Sequence, residues 1–230
     1  MTLSQLITTI WYKYDKSTDV PTSGSEDYTL ITAFLNDAVE AWGNAAHEDN
    51  IRWRELFTTL TSASTGTKTT TASTASYVCP DDFVDISSFV EVDSVEYAYV
   101  KADDVMAVLA TDSSKKVFWL TRNSTTGKWW INISPTPTES SLTIEYSYYK
   151  TPTQLTTGTS IIGMKKPYFA VYHVLAALLE DERPDLAQVY SQKAVALMNA
   201  MLIDNEIPPA GQSFKLRDIA YESTGDAFGK

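Results

Sequence analysis

The chain has 230 residues, 43% of them hydrophobic, enough for one domain or two closely packed ones with a genuine core. Its 29 acidic residues against 18 basic ones give a formal charge of −11, the wrong sign for wrapping a phosphate backbone by counterion release, although a negative wall lets a duplex slide past without sticking. Cys79 is the only cysteine, which excludes an internal disulfide and a thiolate-based zinc site; with no apolar run of roughly eighteen residues and no basic, cleavable N-terminal block, the composition points to a soluble protein without a membrane anchor, made in a cytoplasm.

Thr2 and Gln5 stand at capping-box spacing, and Leu3, Leu6, Ile7, Ile10, Trp11 and Tyr14 recur on one helical stripe, which predicts a first helix. After the polar stretch Lys16 to Gly24, Ser25, Asp27 or Thr29 can cap a second helix. Its buried face is Ile31, Phe34, Leu35, Ala38, Val39 and Trp42, and it runs to about Ala46. Trp53, Leu56, Phe57 and Leu60 resume the spacing, which predicts a third short helix or a kinked continuation. From Thr58 to Ser76 a run of Thr, Ser and Ala around Gly66 favours extended chain or turns.

The middle of the chain reads as strands: Ser76 to Val78, Phe89 to Val92, Val95 to Val100, Val117 to Thr121, Trp129 to Ile133 and Leu142 to Tyr149. Asn123 to Lys128 is a turn, so its flanking strands form a hairpin, and Asp103 can cap a short helix, Asp104 to Leu109. Pro167 opens a helix at a first-turn position, with Val171, Val174, Leu175, Leu178 and Leu179 on its apolar face, and Arg183-Pro184 ends it. A last helix begins at Asp185 and carries Leu186, Val189, Tyr190, Ala194, Leu197, Met198, Met201 and Leu202 up to the break at Pro208 to Gly211.

The expected fold is therefore α+β: a helical bundle made by the two ends of the chain, with an inserted small antiparallel β-sandwich or barrel and an extended C-terminal arm. In residue numbers, 1–66 and 151–205 build the helical part, 67–150 the β insertion, and 206–230 the arm. Phe214, Leu216, Ile219, Tyr221 and Phe228 make that arm too apolar for a solvating tail, though it is too interrupted to build a core. It either docks on a partner or packs back on its own domain.

No catalytic constellation stands out. Gly66-Thr67-Lys68-Thr69 fails the phosphate-loop pattern because glycine and lysine are not adjacent. With His47 and His173 the only histidines, a Ser-His-Asp triad or a histidine metal site has little material. His173 reads as a core or interface residue and His47 as a solvated one. Asp81, Asp82 and Asp85, like Glu180-Asp181-Glu182, lack the further ligands or glycine spacing of a calcium loop, and helix-end charge and turn capping account for both clusters. Tyr97, Tyr99, Phe118, Trp119, Trp129, Trp130, Tyr146, Tyr148 and Tyr149 crowd the strands; alternation sends Trp129 and Trp130 to opposite faces, one to the core and the other to a partner or solvent.

The order of these pieces resembles the head-to-tail adaptor (connector or head-completion) family of tailed bacteriophages, over the chain to about Asn205. The likeness is carried by Leu3-Ser4-Gln5-Leu6-Ile7, by Leu35-Asn36-Asp37-Ala38, and by Trp53 with Leu56. It continues through Tyr77-Val78-Cys79-Pro80-Asp81-Asp82-Phe83, where Cys79 departs from the usual leucine. Trp130 to Pro137, including Pro135, leads into Leu142 to Tyr146, then Tyr149, Pro152 and Leu155-Thr156; a proline-started helix with Ala176-Ala177-Leu178-Leu179 and Pro184 completes the run. Tyr77, Pro80, Asp82, Phe83, Trp130, Pro135, Pro137 and Tyr146 are packing and turn devices of that motif set.

The resemblance implies a non-enzymatic virion protein of the neck, without cofactor or metal: a homo-oligomeric, dodecameric ring bound to the portal protein, onto which a stopper, tail tube or nozzle assembles. DNA would pass through its channel without specific binding. The arm residues Phe214, Leu216, Ile219, Tyr221 and Phe228 are then the candidate portal contacts. Two rivals remain: a carbohydrate- or receptor-binding virion module using the aromatic strands, and an acidic hydrolase using Asp81, Asp82 or Asp85.

Overall fold

The computed structural model describes residues 1–48 and 52–206 of the chain. The capping box forms as its spacing requires: Thr2 N–H donates to Gln5 Oε1 at 2.9 Å and Gln5 N–H to Thr2 Oγ1 at 3.3 Å, which starts α1 (Leu3–Tyr14). Of the three candidate caps for α2 (Glu26–Glu48), Ser25 is the one used, its Oγ accepting from Tyr28 N–H at 3.2 Å. The third helix is not formed. Arg54–Leu56 makes a single 3-10 turn, and the chain then straightens into β1 (Phe57–Thr59), whose Phe57 packs edge-on against Tyr149 at 5.5 Å. Trp53 and Leu56, three residues apart, face the core from that one turn, and this reproduces the helical spacing without a helix.

β1 is followed by β2 (Ser76–Val78), β3 (Phe83–Val92), β4 (Val95–Tyr99), α3 (Val105–Thr111), β5 (Val117–Arg122), β6 (Trp129–Ser134) and β7 (Ile144–Lys150). The strands form one sheet in the order β1-β7-β3-β4-β5-β6-β2. The expected antiparallel sandwich or barrel is thus corrected to a single curled sheet, in which β4 and β5 run parallel because the crossover through α3 returns the chain in the same direction. β5 and β6 form the hairpin read from Asn123 to Lys128. A second tight hairpin joins β3 to β4 through Asp93 and Ser94, both at positive φ (51° and 64°).

The curl is required by burial. Tyr77, Phe83, Val90, Tyr97, Phe118, Ile131, Ile133, Tyr146 and Tyr148 make one apolar cluster with no helical residue in it, so the sheet covers its inner face with itself. Phe83 and Trp129 have ring centroids 6.4 Å apart, although β3 and β6 stand three strand positions apart, a distance of about 14 Å in a flat sheet. β3 bends to allow this: from Ile86 to Val90 it advances four residues while β7 advances two, from Tyr148 to Tyr146. The Thr-rich run spans the remaining gap. Thr67 N–H donates to Val78 O at 2.8 Å on the β2 side, while Ile144 N–H donates to Lys68 O at 2.8 Å and Thr70 N–H to Leu142 O at 2.9 Å on the β7 side.

The chain then returns to helices, α4 (Tyr168–Leu179) and α5 (Pro184–Glu206). Pro167 stands at the N-cap of α4, one residue before the first turn, and α4 ends four residues short of Arg183. α1, α2, α4 and α5 share a second apolar cluster that includes Leu6, Ile10, Leu35, Trp42, Val174 and Met201. Trp53 joins this cluster from the junction with the sheet: it stacks on Trp42 at 5.4 Å and its indole N–H donates to the Trp42 carbonyl at 2.6 Å. Trp53→Ala is expected to cost about 3–5 kcal/mol of unfolding free energy. Urea denaturation checks this, and a loss below about 1 kcal/mol contradicts the packing described.

Candidate functional site

The acidic residues that suggested hydrolysis are held apart by separate partners. Asp81 pairs with Lys128 at 2.7 Å, Asp82 accepts from the Tyr148 hydroxyl at 3.1 Å, and Asp85 pairs with Arg52 at 3.1 Å. Lys128 holds the Asp81 carboxyl below its ordinary range, and burial followed by the Asp82 charge pushes the Tyr148 hydroxyl up to about 12. Each carboxylate therefore fastens a turn or strand of the sheet. Among the described residues no cluster of His, Cys, Asp and Glu is arranged to hold a metal ion, and no helix is long and apolar enough to cross a membrane.

The motif residues line the sheet's interior or its turns. Tyr77 is buried and donates to Thr74 O at 2.6 Å. Pro80 is buried beneath Gly66, where an added Cβ would strike its ring, and its carbonyl accepts from Phe83 N–H at 3.1 Å, closing the turn that delivers Phe83 inward. Phe83 stacks on Tyr148 at 5.7 Å and meets Tyr146 edge-on at 6.5 Å. Burial pushes the Cys79 thiol up to about 12, beside the Tyr146 hydroxyl. Pro137 is buried and its carbonyl accepts from Ser73 N–H, whereas Pro135, after a cis peptide, is exposed. Trp129 faces the inner cluster, and Trp130, on the opposite face, is half-buried.

Of the strand aromatics, Tyr97, Phe118, Tyr146 and Tyr148 are inside the curl, whereas Phe57, Phe89 and Tyr99 are exposed. His173 is half-buried beside Phe169 on α4; His47 lies at the end of α2. Phe214, Leu216, Ile219, Tyr221 and Phe228, expected to contact the portal, lie outside the described residues.

Two uncovered apolar features went unread. One is a groove of about 680 Å³ between α4 and α5, floored by Ala176, Ala177, Ala187 and Ala194 and flanked by Val195 and Met198. The other is α3, whose residues Val105 to Ala110 carry no charge and whose Met106 is 79% exposed. The available signals were the small residues at helical spacing and the uncharged run after Asp104, both of which read equally well as ordinary core.

Asp81, Asp82, Asp85 and the Cys79 thiol are engaged in the fold, and the α4–α5 groove and α3 are open apolar features of the kind that dock on other proteins. A family model described as SU10 adaptor protein matches residues 1–213, and the chain belongs to that family of phage adaptors, structural components of the virion. No curated protein matches the chain.

His173 supplies a pH test of this half-buried helix face. Burial lowers its pKa below the ordinary 6.5, with the Asp37 charge opposing, so the unfolded chain takes up the proton first and stability falls as pH drops through about 6.5 toward the folded value. The carboxyls of Asp81, Asp112 and Asp204, held below 3.8, lose their contribution only in stronger acid. Melting temperature should therefore decline less between about pH 7.5 and 5.5 in His173→Gln than in the wild type. Equal declines would contradict the burial assigned to His173.

Proposed function

We propose that the chain is the head-to-tail adaptor of its virion: a dodecameric ring that binds the portal protein and joins it to the neck and tail around the DNA channel. The observation that carries this reading is membership of the adaptor family over residues 1–213, nearly the whole chain. The charge of −11 agrees with it, since copies arranged around a duplex would repel phosphate rather than bind it. In this reading the helices of 1–66 and 151–205 form the ring wall. The β insertion, 67–150, presents an outer or tailward surface, on which a stopper, tube or nozzle would assemble. Residues 206–230 form the arm that fastens the ring to the portal through Phe214, Leu216, Ile219, Tyr221 and Phe228.

The test is native mass and negative-stain imaging of the full chain with and without its portal. A ring of about twelve copies on the portal is expected, and deletion of Gln212 to Lys230 should abolish portal binding while leaving the circular dichroism unchanged. A full chain that stays monomeric beside its portal overturns the ring reading; unaltered binding by the deletion overturns the role of the arm.

A further inference from the structure

The α4–α5 groove and α3 are two uncovered apolar features on different parts of one chain; α3 is short enough to lie in the groove, and their end charges are complementary. Between Phe169 and Glu180 the groove follows eleven residues of α4, about 16 Å, and α3, at seven residues, is about 10 Å long. The alanine floor lets a helix approach closely. On the α5 side the groove is flanked by Val195, which is exposed, and Met198. On α3, Val105 is buried while Met106, Ala107 and Ala110 are exposed together on another face.

Charge distinguishes the two ends of each feature. At one end of the groove lies the exposed turn Glu180-Asp181-Glu182, acidic overall despite the following Arg183. Toward the other end Lys165 and Lys166 share one carboxylate, Asp204, at 3.3 and 3.0 Å, leaving that end net basic. α3 is flanked in the same alternating way: Asp103 and Asp104 precede it, near Lys101, and Lys115 and Lys116 follow it after Asp112, all exposed.

We propose that α3 of one copy seats in the α4–α5 groove of the next, with Lys115 and Lys116 against Glu180 and Asp181 and with Asp103 and Asp104 toward Lys165 and Lys166. The inference rests on the ring reading above and names the contact that builds the ring. The contact is heterologous: each copy offers a knob on its sheet domain and a groove on its helices, so copies add head to tail and close when the rotation per copy allows. Apolar burial of Met106 supplies affinity, and the charged ends set orientation and exclude the reversed docking.

Cys79 is buried, so introduced cysteines can be read without background. Met106→Cys and Val195→Cys chains, differently tagged, are mixed on the portal and treated with a short bismaleimide. The expected product is a cross-link between the two variants, and none when either is alone. Portal-bound rings that give no cross-link between the two variants, or in which Met106→Cys chains cross-link to one another instead, overturn the proposal.

Charge reversal tests the orientation. Lys115→Glu with Lys116→Glu should weaken ring assembly about tenfold, and adding Glu180→Lys with Asp181→Lys should restore it. Restoration would not follow if the first pair merely misfolded. Rings unaffected by the first pair, or a loss that the second pair does not repair, overturn the α3 docking while leaving the ring itself standing. Wild-type chains that form no ring on the portal overturn the ring reading, and this inference with it.

Discussion

Everything in this molecule depends on how the chain leaves the helices for the sheet and returns. The outward crossing is fixed by Trp53, stacked on Trp42 and bonded to its carbonyl, and by Arg52, paired with Asp85 on β3. The return crossing is fixed by Asn36 of α2, which accepts from Leu155 N–H at 2.8 Å and donates to Leu155 O at 3.2 Å. Between them Gly43 lies so close to Pro152 that any Cβ would collide with its ring. Asn205 near the end of α5 closes the junction, donating to Arg52 O and accepting from Arg54 N–H. Two crossings held by short, directional bonds make a hinge motion costly, because no crossing can turn without breaking backbone partners.

This junction frees the sheet from any need for helical cover. Its inner face is filled by its own aromatic side chains, and its curl is produced by irregular pairing along β3 and by the threonine run that bonds to both margins. The helices pack on one another instead, leaving α5 with one covered side and an uncovered groove. A body with two cores and a fastened junction is stiff.

Much of this was legible residue by residue. The Thr2–Gln5 box, the α2 face, the β5–β6 hairpin and most strand positions follow from short-range rules of capping, periodicity and turns, and the structure follows them closely. What was not legible depended on partners distant in sequence. The segment Phe57 to Thr59 becomes a strand only because β7 offers an edge, and the start of β3 at Phe83 is hidden by the turn at Pro80 to Asp82. The helix between β4 and β5 was legible from its uncharged run, but not that it returns the chain in the same direction, so the parallel pair went unseen. Docking surfaces were harder still, since an uncovered alanine face and a buried one have the same pattern. The roles of Asp81, Asp82 and Asp85 as separate fasteners required coordinates, because their partners Lys128, Tyr148 and Arg52 are distant in sequence.

The claim that helices and sheet move as one body is tested most directly by differential scanning calorimetry of the full chain and of Asn36→Ala. A fastened junction predicts one unfolding transition for the wild type, and for the variant a separation into two as the return crossing at Leu155 is released. Two transitions in the wild type, or a variant that melts as one unit at an unchanged temperature, would contradict it.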